Sequence, residues 1–194
     1  PYRLVWSDEF DNAGLPDTDK WGYDIGGSGW GNGELQYYTN RQENARVENG
    51  NLIITAILEA YEGNEYTSAR LVSRNKGDWT YGRVEVRAKL PEGRGTWPAI
   101  WMLPTDRAYG NWPNSGEIDI MEHVGYDMGR VHQTVHTEAY NHTLGTQQGD
   151  NMVLSDVHQA FHIYAINWTS ERINFYIDEQ MVFAFDNEHK GSDA

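Results

Sequence analysis

The feature that most limits how this chain can fold is its division into short runs of β-branched and aromatic residues, each closed by turn-forming residues. Residues 51–57, 81–88, 131–136 and 161–166 read as strands, because such side chains pack well on a pleated, half-buried surface. Turn chemistry separates the runs at 48–51, 91–93, 169–172 and 178–180, where Gly, Asn, Asp, Ser and Pro cluster. The last two turns link 161–168, 173–177 and 181–185 into an expected meander. Only 155–160 suggests a helical turn, and it is too short for more. There is no internal repeat and no low-complexity segment. Many short strands at regular spacing indicate an all-β sandwich or barrel of antiparallel sheets.

Within that pattern the stretch Gly116-Glu117-Ile118-Asp119-Ile120-Met121-Glu122-His123 begins as a clean two-residue alternation and then breaks it. In a regular strand Glu117, Asp119 and Met121 share one face, and Glu122 points to the other with the isoleucines. A β-bulge at Ile120-Met121 sets two residues opposite one on the neighbouring strand and returns Glu122 to the face of the other acids. Strand steps of about 3.3 Å then place the two glutamate backbones roughly 13 Å apart. Long side chains leaning together can approach the roughly 5–5.5 Å used by glycosidases that retain anomeric configuration. Asp119 between two glutamates cannot ionise independently of them, since neighbouring like charges raise one another's proton affinity. It is therefore expected to share a proton or hydrogen bond with Glu117, orienting it as nucleophile, while a raised pKa keeps Glu122 protonated as general acid. Spacing alone leaves open a solvated acidic edge strand or a calcium site.

Charge and composition narrow the partner. A formal net charge of -14 argues against a nucleic-acid backbone or an anionic membrane, both of which reward clustered Lys and Arg. A neutral ligand fits better. With no cysteine, neither a disulfide framework nor a thiolate site is open to the chain. Eight Trp and 12 Tyr in so polar a sequence call for a large core, a stacking surface, or both. No stretch approaches the roughly 18 apolar residues that span a bilayer, and Pro1-Tyr2-Arg3-Leu4 does not begin a signal peptide, so an exported protein would be met here in its mature form.

The acid motif, preceded by Gly116, resembles the signature of glycoside hydrolase family 16 in the bulged form of its laminarinase-like members, endo-β-1,3-glucanases. Other blocks stand in the family's order: Trp30-Gly31-Asn32-Gly33-Glu34-Leu35-Gln36-Tyr37-Tyr38, Ser68-Ala69-Arg70-Leu71, residues 81–91, Gly95-Thr96-Trp97-Pro98-Ala99-Ile100-Trp101-Met102-Leu103-Pro104 and Val135-His136-Thr137. The resemblance covers nearly the whole chain. It implies a β-jelly-roll sandwich of two antiparallel sheets with a concave substrate cleft, cutting a glucan chain internally with retention.

Carried over residue by residue, the resemblance makes Glu117 the nucleophile, Asp119 its assisting acid and Glu122 the acid/base. Asn40 and Arg70 match positions that hydrogen-bond sugar hydroxyls on the glycone side. Trp97 and Trp101 match aromatic positions flanking the cleft, and Trp112 is grouped with them as substrate-binding. A Trp ring suits the apolar C–H face of a pyranose, with core packing as the competing role for each. Pro98 makes a regular ladder between Trp97 and Trp101 uncertain. His136 matches a position beside the acid/base; in 131–136 the histidines and Thr134 fall on one face and the valines on the other. A half-exposed strand histidine is the alternative. His123 and His132 lack a third ligand for zinc.

No cofactor is expected for catalysis. The resemblance implies a structural calcium held by Glu9 and the Gly50 carbonyl, oxygen donors suited to a hard cation, with a third ligand from a final strand. Family members continue past the equivalent of Phe185-Asp186, so the expectation is a single catalytic domain over 1–194 lacking the family's C-terminal strands. The function implied is endo-hydrolysis of β-1,3-glucan by an extracellular, cell-surface or periplasmic monomer, with a polysaccharide as partner and neither nucleic acid nor membrane. Alternatives are a same-family hydrolase of mixed-linkage glucan or an agar-type galactan, and a non-catalytic β-glucan-binding module. The acidic balance argues against a sulfated polyanion, and the three acids argue against the binding module.

Overall fold

In the computed structural model, which describes residues 2–190, the chain is built from strands, with no α-helix among the described residues. Pro1 and Gly191–Ala194, the expected end of the domain, lie outside the described residues. Two compact units follow one another, Arg3–Asp78 and the chain from Trp79 onward.

The N-terminal unit carries β1 (Gly22–Asp24), β2 (Gln36–Tyr38), β3 (Ala45–Glu48), β4 (Asn51–Ile54), β5 (Ile57–Tyr61), β6 (Asn64–Ser68) and β7 (Arg70–Val72). They form small sheets: β1 with β7, the hairpin β3–β4, and β2-β6-β5, in which β2 and β6 run parallel. The run expected as one strand over 51–57 is two, broken after Ile54. The break serves the buried Asn44, whose backbone carbonyl accepts from Thr55 N at 2.9 Å and whose Nδ2 donates to the Thr55 carbonyl at 3.1 Å.

The C-terminal unit contains β8 (Gly82–Ala88), β9 (Ala99–Met102), β10 (Glu117–His123), β11 (Arg130–His136), β12 (Gln148–Val153), β13 (His162–Trp168), β14 (Arg172–Ile177) and β15 (Gln180–Asp186). They form two antiparallel four-stranded sheets, β12-β11-β10-β9 and β15-β14-β13-β8. The expected meander is β13–β14–β15. Strict alternation on β14 sends Ile173, Phe175 and Ile177 inward and leaves Arg172, Asn174 and Tyr176 on the other face. Those side chains meet Ile120, Met121, Val131 and Val135 from the facing sheet in one core, so the two sheets form a sandwich held by interdigitated inner faces. The expected helical turn is a single one, with Gln159 and Ala160 N–H both donating to the Asp156 carbonyl.

Candidate active site

All three acids sit on β10, which is hydrogen-bonded to β9 on one side and β11 on the other. On the β11 side Glu117 stands opposite His136, Asp119 opposite Thr134 and Glu122 opposite His132. Ile120 and Met121 together therefore oppose Gln133. On the β9 side the register shifts at the same place, Asp119 facing Trp101 and Glu122 facing Ala99. This is the bulge expected from the sequence. Directly opposed residues share a face, so the acids, Thr134 and the two histidines point one way, while Ile120 and Met121, 1% and 2% exposed, both enter the core. An interior strand with Asp119 only 2% exposed is not a solvated acidic edge.

The bulge has a keeper that sequence reasoning passed over. Extra residues in a bulge leave the ladder incomplete, and a buried carbonyl without a partner is costly. Gln133, fully buried among valines, donates its Nε2 to the Ile120 carbonyl at 3.3 Å and lies 3.4 Å from the Tyr176 carbonyl. The signal was in the sequence: a glutamine on the valine face of 131–135.

Each glutamate takes one indole N–H. Trp112 Nε1 donates to Glu117 Oε2 at 2.5 Å, and Trp97 Nε1 donates to Glu122 Oε1 at 2.9 Å. Trp97 lies just before β9, and Trp101 faces Asp119 from within it, so the tryptophans reach the acid face despite Pro98. The rings expected as stacking surfaces are thus also hydrogen-bond donors, a role that periodicity cannot disclose. The Glu117 and Asp119 carboxyls each act on the other's proton affinity, and His136 Nε2 lies 3.3 Å from Asp119 Oδ2. Acid and ring atoms of Glu117, Asp119 and His136 converge within 4.8 Å. His136 thus sits across from Glu117 and against Asp119, while His132 stands opposite Glu122.

Burial is the leading cause of every shift in this cluster. It pushes the Glu117 carboxyl up to about 8, with the Asp119 charge and hydrogen bond adding to the rise and His136 and the Trp112 N–H opposing it. Asp119 is likewise pushed up to about 8, by burial and then by the Glu122 charge. Glu122 is raised by burial and by Glu117, against the Trp97 N–H and the charges of His136 and His142. An environment that disfavours ionisation moves a carboxyl toward the protonated form that a general acid requires.

The remaining expected residues lie in the N-terminal unit. Asn40 is exposed, just past β2. Arg70 pairs with Asp24 at 3.1 Å, and its guanidinium lies 4.7 Å over the Trp30 ring. Glu9 is exposed, and Gly50 stands at the β3–β4 turn with φ +71°, a left-handed conformation that suits glycine. Glu9 and the Gly50 carbonyl are two oxygen donors of the about six to eight that calcium takes. Among the described residues no third acid or histidine gathers with Glu9, so the pair alone does not complete a site. His123, the other motif histidine, is a core residue, its Nε2 accepting from Gly129 N at 3.1 Å.

A family profile described as glycosyl hydrolases family 16 matches residues 32–193. The chain belongs to that family. It is 62% identical over 190 residues to a beta-glucanase of Rhodothermus marinus, covering 96% of this chain and 66% of that protein. The crystal structure of the laminarinase from Rhodothermus marinus superposes with a TM-score of 0.94 at 62% identity, over 95% of this chain and 75% of that one. A Glu-to-Ser variant of SCLam, described as a non-specific endo-β-1,3(4)-glucanase and crystallised with a glucan oligosaccharide, matches with a TM-score of 0.94 at 48% identity, over 98% of this chain and 77% of its own. These likenesses establish the fold class expected from the sequence, a family 16 jelly-roll sandwich. The chain spans 66% of the length of the Rhodothermus beta-glucanase.

Proposed function

We propose that this chain is the catalytic domain, over 1–194, of a retaining endo-hydrolase of internal β-1,3-glucosidic bonds in laminarin-type β-glucans. The observation that carries the reading is the bulge, which brings Glu117 and Glu122 to one strand face, each held by its own indole N–H. In the working form three carboxyls hold two protons. The reactive state is the one in which the proton the two share sits on Asp119 and Glu117 is ionised, a state that His136 and the Trp112 N–H favour against burial and the Asp119 charge. Glu117 attacks the anomeric carbon while Glu122 donates its proton to the departing glycosidic oxygen. The C–O bond breaks and a glycosyl ester forms on Glu117. Glu122, now a carboxylate, takes a proton from water, whose oxygen attacks the same carbon from the face the leaving group vacated and releases Glu117. Two inversions give net retention.

Trp97, Trp101 and Trp112 offer ring faces to sugar C–H surfaces, and Asn40 and Arg70 are assigned to sugar hydroxyls by the family resemblance. The substrate reading draws on relatives named as a beta-glucanase and a laminarinase. The SCLam relative is described as acting on β-1,3(4) linkages, which favours mixed-linkage glucan as a second substrate. Parallel digestion of laminarin, mixed-linkage β-glucan and agarose, with products sized, tests this. Short β-1,3 oligosaccharides from laminarin are expected; cleavage of agarose alone would discard the glucan.

An exported monomer is the corresponding physiological form, because a polysaccharide of this size is cut outside the cell. No helix among the described residues is long and apolar enough to cross a membrane. A light-scattering mass of a dimer would contradict the monomer, and confinement of the activity to the cytoplasm would contradict export. For calcium at Glu9 and Gly50 the expected sign is a lower melting temperature in chelator; an unchanged melt removes the ion.

A further inference from the structure

Glu117 is held by the Trp112 indole, and the indole must itself be held if its N–H is to stay on the carboxylate. The ring lying against it is His142, with centroids 4.9 Å apart and planes at 35°. His142 also stands edge-on to His136, at 5.3 Å and 89°, and His136 lies 5.8 Å from Trp112. The three rings close a triangle beside Glu117. His142 belongs to the loop between β11 and β12 and is exposed, a setting in which a side chain is ordinarily mobile.

This loop is not left to itself. It is wound around Asn141, only 2% exposed. The Asn141 Nδ2 donates to the Thr137 and Glu138 carbonyls at 3.2 and 3.0 Å. Its Oδ1 accepts from Thr143 N, Thr143 Oγ1 and Leu144 N at 3.1, 2.5 and 3.3 Å. A buried amide using its donors and its acceptor in this way fixes the backbone on both sides of His142.

We propose that His142 is a positioning residue for Glu117, acting through Trp112: its ring, presented by the Asn141-bound loop, holds the indole in the orientation from which Nε1–H reaches the carboxylate. The inference rests on the reading of Glu117 as nucleophile. The geometry explains why an exposed loop residue would be built so firmly. Aromatic pairs at these separations prefer defined orientations, and a donor that swings away from Glu117 leaves the half-buried carboxylate without the hydrogen bond that favours its charged form. The charge of His142 also acts on Glu122, lowering its carboxyl against the rise that burial imposes, so the ring that packs on the Trp112 indole also lies within electrostatic reach of the second glutamate.

The test is a set of steady-state measurements on laminarin for the wild type, His142→Ala, His142→Phe, Trp112→Phe and the double variant Trp112→Phe/His142→Ala. His142→Ala is expected to lower kcat about tenfold with KM little changed, as for a small misplacement of a reacting group. His142→Phe restores most of the loss because the ring, not its nitrogens, does the holding. In the Trp112→Phe background, where no indole N–H remains to be aimed, His142→Ala costs nothing further, the signature of two residues on one path. A raised KM with kcat kept would make His142 a substrate contact and overturn the proposal. So would a Phe variant no better than Ala, or independent losses that multiply in the double variant. If the wild type cleaves no glucan, the functional reading fails and takes this inference with it; if it cleaves glucan and the losses multiply, only the inference fails.

Discussion

At Asp119 one side chain takes part in two opposed effects. Buried between two glutamates, it raises the Glu117 carboxyl, and the pair together resists ionisation up to about 8. The same pair is placed so that one proton serves both, leaving Glu117 free to be the charged partner when the Trp112 N–H stabilises it. The arrangement carries a stability cost with a definite sign. A carboxyl whose pKa is raised on folding binds its proton more tightly in the folded chain than in the unfolded one. Its stabilisation is therefore full below the ordinary carboxylate range and is lost as pH rises toward about 8. Glu117→Gln replaces the group with a neutral amide. Its melting temperature relative to wild type is expected to show little advantage near about pH 4 and a growing one up to about pH 8. An equal difference at both pH values would contradict the raised carboxyl. At this scale the sequence was legible for the acids and opaque for their donors: alternation and its break place Glu117 and Glu122, but nothing in the spacing of Trp97 and Trp112 says that their N–H groups, rather than their ring faces, meet the carboxylates.

At the scale of the element, β10 shows how a bulge absorbs an extra residue without disturbing a site. Ile120 and Met121 both enter the core, and Glu122 stays with the other acids. Deleting Met121 gives Glu-Ile-Asp-Ile-Glu, a plain alternation that still places three acids on one face. The expectation is a folded chain, destabilised by about 2–5 kcal/mol for the lost buried side chain, that retains measurable hydrolysis. Glu122→Gln, by contrast, keeps the stability and loses about 10²–10⁴-fold in rate. Gln133→Leu costs about 1–3 kcal/mol in the full-length strand, where the Ile120 carbonyl loses its partner, and less once Met121 is deleted. Denaturant unfolding of the four chains checks this; equal costs of Gln133→Leu in both backgrounds would separate Gln133 from the bulge. The bulge could be read from the late glutamate because a period of two is strict. The break between β4 and β5 could not, because it depends on Asn44, a side chain distant in sequence from the run it interrupts.

At the scale of the molecule, the all-β class and the β13–β14–β15 meander follow from local patterning, as β14 illustrates with Ile173, Phe175 and Ile177 alternating into the core. Sheet order does not follow from it. That β8 lies beside β13, and β9 beside β10 in the opposite sheet, is set by long-range pairing that no short window contains. The loop bearing His142 was likewise silent, since its structure comes from the buried Asn141 and not from any period. In the proposed function this assembly places two glutamates on one strand face as nucleophile and acid/base. Proton NMR of laminarin digestion during the first minutes tests it most directly, because the anomer released first records the number of displacements. New reducing ends appearing as the β-anomer and mutarotating later are the predicted result; initial release of the α-anomer would mean a single displacement and would contradict the account.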